Sequence, residues 1–361
     1  ECGNKRILKE NIHLYIALAK FQNQIEQYVK EKQENWRIAS VNETEKYLKE
    51  ELKDRAVTRD LSWGVDIPIK GFEDKKMYVW IEAVLGYVTA TQKICEKKGL
   101  NWEEFWKDDN NIKMYMCHGK DNITFHTIIL PALLMAMKDN YHLPDVMVAT
   151  QYLNINSEKI SKSKGNGITI RQMVEEYNVD SLRYYMIAHG PENKDVDFTV
   201  ENYINVHNSD VVNKFGNFVN RTLRFKGLEE IPLGVMDTQM IEEINETYKM
   251  VFEYIENLEF KKACSKIVEL IEIGNKYYDE RKPWIQKKEN IEEFNNTIYT
   301  CTNVIANLSN LIEPIMPQTS NKLREYLKIE KPSWKQIQIK ERIPLDNIEI
   351  LFERIDINKN R

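Results

Sequence analysis

The chain has 361 residues, 42% of them hydrophobic and 30% charged, enough for two or three domains with sizeable cores and too apolar for a disordered segment. Its 51 basic and 56 acidic side chains leave a net charge of −5. That excludes a histone-like basic coat, so any anionic partner must be met by local patches. No stretch reaches the roughly 18 consecutive apolar residues of a membrane span, and "ECGNKRILKE" lacks a secretory core, so a cytosolic protein with no membrane partner is expected.

Only 13 residues are glycine, which favours helices over turn-rich β structure. The five cysteines (Cys2, Cys95, Cys117, Cys264 and Cys301) are odd in number and share no C-x-x-C spacing, which argues against a disulfide framework and against a complete zinc site. Cys2 stands at the edge of the chain, where companions could precede it. The absence of an initiator Met is in keeping with a fragment.

In chain order, residues 7 to 53 join "HLYIALAKF" to the amphipathic "NETEKYLKEELKDR", predicting a strand or turn and then a helix in a peripheral segment. Between 77 and 151 apolar runs alternate with helical patterns. Met77–Trp80, Lys113–Cys117 and Val146–Gln151 are the three candidate strands, and their spacing predicts a parallel sheet with right-handed crossovers. After residue 200 the helical period takes over. Val211, Phe215, Phe218 and Leu223 mark one amphipathic stripe, Phe260, Cys264, Ile267 and Ile271 a second, and Ile298, Cys301, Ile305, Leu308 and Ile312 a third, predicting a helical bundle. Pro314 and Pro317 mark a broken connection, and the last 25 residues return to short apolar pieces.

Ligands of open parallel sheets bind beyond the carboxyl ends of the strands. Three polar clusters should therefore share one rim: Trp80, Glu82, Ala83 and Tyr87; His118, Gly119, Lys120, Asp121 and His126; and the loop from Ser157 to Asn166. Each has a plain structural alternative as core aromatics, a packed helix histidine or a solvated turn. Their co-location weighs against it. Lys159 and Lys162 flanking Ser161 suit a polyphosphate whose charge must be held as it departs, and the loop lacks the G-x-x-x-x-G-K-[ST] form of a Walker loop.

The stretch "KISKSKGN" resembles the KMSKS signature of class I aminoacyl-tRNA synthetases. "DRAVTRDLSWGVDIPIKGFEDKKMYVWIEAVLGY", "GKDNITFH", "DSLRYYMIAHGPENKDVDFT", "NKFGNFVNR" and "DERKPW" together look like the methionyl-tRNA synthetase family, over about residues 55 to 330. The resemblance implies a methionine pocket of Trp80, Ala83, Tyr87, Asp121, Asn122 and His126; an ATP and pyrophosphate loop of Lys159, Ile160, Ser161, Lys162 and Ser163, with Lys159 and Lys162 catalytic; and anticodon contacts from Asn217, Arg221 and the stacking Trp284. It implies ATP with Mg2+, methionine and tRNA(Met) as partners, zinc in an upstream insertion, and no metal ligand within this chain. Aromatic walls suit a thioether.

Val84, Asn122 and Ile160 depart from the commonest family residues at their positions. No H-x-G-H occurs among the six histidines, so the family's HIGH-type motif would precede residue 1, and the fragment alone is expected to be inactive in methionine activation. The implied fold is α/β plus all-α, the second half of a Rossmann-like parallel sheet followed by a stem-contact region and an anticodon-binding bundle. Its implied divisions are an insertion remnant (1–55), the Rossmann half (56–156), the signature loop and stem-contact region (157–200), the bundle (201–335) and a tail (336–361). A different class I synthetase, or a tRNA-binding module without catalysis, are the alternatives.

Overall fold

The run "KMYVWIEAVLGYV" has the β-branched and aromatic residues of a strand, yet most of it is helical. In the computed structural model, which describes residues 10–107, 112–159 and 167–356, only Lys76–Met77 is extended, and it pairs antiparallel with Thr58–Arg59. Val79–Glu82 already turns as a helix, followed by a tighter turn at Ala83–Leu85 and the helix Gly86–Lys98. The expected strand Met77–Trp80 is thus corrected. Ile81, Val84 and Val88 are all buried, and their i, i+3, i+7 spacing is the helical period that overrides the local β preference.

The chain divides into two compact units, Glu1–Thr150 and Gln151–Arg361. In the first, the helices Gln22–Lys32 and Ile38–Lys49 and the short antiparallel pair of Tyr15–Ile16 with Arg55–Ala56 lead into the parallel pair Tyr115–Gly119 and Val146–Thr150. Val146 to Ala149 are buried without alternation, as a parallel strand covered on both faces requires. The crossover between them runs through Phe125–Ile129 and the helix Leu130–Met137. Over Phe125–Ile129 the helix widens to π pitch. Pro131, with no N–H to give the carbonyl of Thr127, accounts for part of that widening.

In the second unit Leu153–Ile155 is the centre of a three-stranded sheet, antiparallel to Glu158–Lys159 and parallel to Val196–Phe198. Asn156 and Ser157 both have positive φ, 49° and 64°, the backbone of a two-residue hairpin turn. The lysine loop therefore leaves a different sheet from the Val146–Thr150 strand, which corrects the expectation of three clusters on the rim of one sheet. The helices Ile170–Glu176 and Val179–Ala188 pack Met173, Leu182 and Tyr185 on Ile155 and Phe198.

The bundle is built from the helices Asn217–Leu223, Thr238–Glu256, Phe260–Arg281, Pro283–Glu289, Ile291–Leu311 and Pro317–Tyr326. Gly274 is required by close approach, since a Cβ there would lie 2.6 Å from Cζ of the buried Phe218. The stripe expected on Ile291–Leu311 is too narrow. That helix is buried nearly all round, and its polar face holds chain instead of water. Asn303 accepts from the backbone N–H of Ile339 at 2.8 Å, Asn307 accepts from that of Ile337 at 2.7 Å and donates back to its carbonyl at 2.8 Å, and Asn310 accepts from that of Ser333 at 3.2 Å. Amides at i, i+4 and i+7 thus act as the edge of a sheet for an extended strap. Beyond the strap, Ile343–Pro344 pairs with Glu230–Ile231.

Candidate functional site

The six expected pocket residues lie along two helical entries, each following a short strand. Trp80 and Tyr87 come from the turns after Lys76–Met77 and stand 44% and 42% exposed, while His126 is 5% exposed in the widened helix after Tyr115–Gly119. The Tyr87 hydroxyl lies 2.9 Å from His126 Nε2, and His126 Nδ1 lies 2.8 Å from the carbonyl oxygen of Asn122. Tyr87, Asn122 and His126 therefore form one hydrogen-bonded chain. Trp80 packs on Phe125 with ring centroids 5.2 Å apart. Ala83 is exposed on the same helical run as Trp80, and Asp121 is exposed in the turn Lys120–Asn122 just past the strand.

A carbonyl can only accept, so the proton of a neutral His126 is on Nδ1 and the hydroxyl of Tyr87 must donate to Nε2. Burial holds His126 below the ordinary imidazole value, with the Asn122 carbonyl opposing. His118 stacks on it, centroids 4.3 Å apart and planes at 10°. Burial first, then the neighbouring His126, pushes His118 down to about 4. Both rings are uncharged at neutral pH. The cluster is a set of aromatic rings with one fixed polar edge, which suits a flexible apolar side chain carrying a soft atom.

Of the lysine loop, Glu158–Lys159 is extended, while Ile160, Ser161, Lys162 and Ser163 lie outside the described residues. The two ends of the loop are firmly set. The Ser157 backbone N–H donates to Asp197 Oδ1 at 2.7 Å on one side. On the other, Thr169 and Gln172 form a capping box that starts the next helix.

On the bundle, the Arg221 guanidinium lies 3.9 Å from the Tyr278 ring centroid and pairs with Asp279. The Tyr278 hydroxyl donates to the Arg221 carbonyl at 3.0 Å. Trp284, 45% exposed, has its ring centroid 6.2 Å from that of Tyr278. Lys282, in left-handed backbone at φ 49°, and the buried Pro283 turn the chain to present it. Asn217 is exposed one turn before Arg221. Asn213 and Arg224, at helical spacing from Asn217 and Arg221, are engaged within the protein. Asn213 accepts from Arg354 at 3.4 Å and Arg224 donates to Asn220 at 2.9 Å, and π pitch over His207–Gly216 shifts the phase before Asn217.

Sequence reasoning missed His118 as a pocket member, Phe125 as the seat of Trp80, and Tyr278 as the seat of Arg221. The pairs His118/His126 and Arg221/Tyr278 are eight and 57 positions apart. Only the first was near enough for a spacing argument, and there the π pitch defeats it. Among the described residues no group of three or more His, Cys, Asp or Glu could hold a metal ion, and Cys2 lies outside them. No helix among them is long and apolar enough to cross a membrane.

Residues 1–223 match the family described as tRNA synthetases class I (M), and residues 229–351 match the anticodon binding domain of methionyl tRNA ligase. The methionine–tRNA ligase of Bacillus mycoides is 42% identical over 366 residues, covering 99% of this chain and 66% of its own length. Methionine–tRNA ligase 1 of Alkaliphilus oremlandii is 38% identical over 358 residues, covering 98% and 66%. This chain thus spans just under two thirds of the curated relatives it matches. In fold it is similar to the methionyl-tRNA synthetase of Mycobacterium tuberculosis bound by methionyl-adenylate, with TM-score 0.83, 22% identity, and coverage of 94% of this chain and 68% of that one.

Proposed function

We propose that this chain, which belongs to the methionyl type of the class I tRNA synthetases, serves the ATP-dependent joining of methionine to tRNA(Met). The observation that carries the reading is the aromatic cluster in which Trp80 rests on Phe125 and Tyr87 is hydrogen-bonded to His126. It takes the methionine side chain. In the first step the methionine carboxylate attacks the α-phosphorus of ATP, the bond to the β-phosphate oxygen breaks, and pyrophosphate leaves. Lys159 and Lys162 hold the charge that grows on the leaving group, which lowers the barrier without a covalent enzyme intermediate. The aminoacyl group then passes to the terminal ribose hydroxyl of the tRNA, releasing AMP.

The regions assigned to these tasks are the pocket half within 56–156, the loop and stem-contact region within 157–200, and the bundle within 201–335. Asn217 and Arg221 read the edge of an unpaired anticodon base, and Trp284 stacks on one. The calorimetric titration of the protein with methionine tests the reading directly. Saturable binding that Trp80→Ala weakens by roughly 2 kcal/mol or more, about what burial of an apolar side chain is worth, is expected. Equal affinity in wild type and variant places the pocket elsewhere.

A further inference from the structure

One group of the cluster has no part in the scheme above. His118 closes the strand Tyr115–Gly119, opposite Ala149 in the parallel register. Its Nδ1 lies 3.1 Å from the Gly119 carbonyl oxygen, so Nδ1 carries the proton and Nε2 presents a lone pair. That Nε2 is shut off from solvent and has no hydrogen-bond partner among the described residues. A buried acceptor left alone is destabilising. Hydrogen bonding accounts for the Nδ1 edge alone, and the burial of the Nε2 edge is explained by the ring's flat face.

His126 is held at two edges, by Asn122 and by Tyr87. The soft motion of that ring is rotation about its Cβ–Cγ bond, which swings both nitrogens out of line with their partners and which the two hydrogen bonds oppose only through their directionality. A contact on the face blocks that rotation directly, and His118 occupies one face at 4.3 Å with planes only 10° apart. We propose that His118 is a positioning residue of the methionine pocket, a flat stop that keeps the His126 ring where its Nε2 receives the Tyr87 hydroxyl. The role needs an aromatic plane and does not need the Nε2 atom. Phenylalanine would serve, and a branched aliphatic residue would not. This rests on the methionine reading of the pocket, and the test separates the two.

Wild type, His118→Val and His118→Phe are compared in two measurements. The ring nitrogen signals of His126 in ligand-free protein, by 15N NMR, report its tautomer and its bond to Tyr87. Calorimetry gives the affinities for methionine and, as control, ATP. The expected result is that His118→Val moves His126 toward mixed tautomers and weakens methionine binding about tenfold with ATP binding unchanged within about twofold, whereas His118→Phe restores both readouts to near wild type. Two results overturn the proposal: His126 signals unaltered in His118→Val, or His118→Phe as impaired as His118→Val, which would make the Nε2 atom and not the ring face the feature that matters. If wild type fails to bind methionine, the pocket reading fails, and the His126 signals still decide whether the stack positions that ring.

Discussion

The Tyr87 hydroxyl donates to His126 Nε2 across 2.9 Å, and its direction is set from the far side of the ring, where Nδ1 gives its proton to the Asn122 carbonyl at 2.8 Å. Asn122 contributes through its backbone. Its side-chain identity is therefore less constrained than the carbonyl it carries.

Tyr87→Phe removes the only hydroxyl that reaches His126 Nε2 among the described contacts and leaves that lone pair in a buried setting. The fold should lose about 1–3 kcal/mol, the usual cost of an orphaned buried acceptor, and methionine affinity should fall with it. Denaturant unfolding with calorimetry checks both. A variant as stable as wild type means that water replaces the hydroxyl and the pair is not a fixed edge.

The two histidines also set an acid limit. His118 is lowered from 6.5 to about 4 and His126 is lowered as well, in both cases mainly by burial. The unfolded chain therefore binds protons at higher pH than the folded one. Their contribution to stability is complete above about 6.5 and is lost as pH drops from there toward about 4, alongside that of His189 and His207, which burial also lowers. Thermal unfolding between those limits should show a steeper decline for wild type than for His118→Phe, which lacks one of the two groups. Parallel curves would remove His118 from the acid response.

The close contact of Gly274 with Phe218 gives a test of the bundle apart from any ligand. Gly274→Ala would place a methyl 2.6 Å from Phe218 Cζ. Helix propensity favours alanine by up to about 1 kcal/mol, while overpacking a filled core costs about 1–3 kcal/mol. With Phe218 fully buried, the second effect should prevail. Net destabilisation in urea is expected, and a stabilised variant would show that the Phe218 ring can yield.

What could be read from the sequence followed the range of the interaction. The helices after residue 200 and the strands near Tyr115 and Val146 declare themselves by period, and Trp80, Tyr87 and His126 by motif. The strand expected at Met77–Trp80 failed because three β-preferring residues outweighed the i, i+3, i+7 pattern of Ile81, Val84 and Val88, which needs a longer window. The polar face of Ile291–Leu311 looked solvated because asparagines at helical spacing usually are. Its cover, the strap from Ser333 to Ile339, is 23 to 36 positions away and has no pattern of its own. His118 was legible as a rim residue, but its stacking depends on a π turn that no periodicity announces.

The anticodon reading is tested on the Arg221, Tyr278 and Trp284 cluster. Trp284 is 45% exposed, so an unstacked base can lie on its indole, and Trp284→Ala should weaken binding of tRNA with a CAU anticodon by roughly 1–3 kcal/mol. Arg221 is held by the Tyr278 ring at 3.9 Å and by Asp279. Its guanidinium is therefore pre-oriented, and Arg221→Ala should relax preference for the first anticodon base more than it lowers overall affinity. Arg221→Lys keeps the charge and loses the planar stack, so it should resemble Arg221→Ala in preference and wild type in salt dependence. Lys276, 3.8 Å from Glu280 on the exposed face of the same long helix as Tyr278, is the charge control, and Lys276→Ala should change affinity less than either. Filter binding against CAU and variant anticodons distinguishes these. If Trp284→Ala and Arg221→Ala both bind like wild type, or if every anticodon is held equally, this face of the bundle is an ordinary solvated surface.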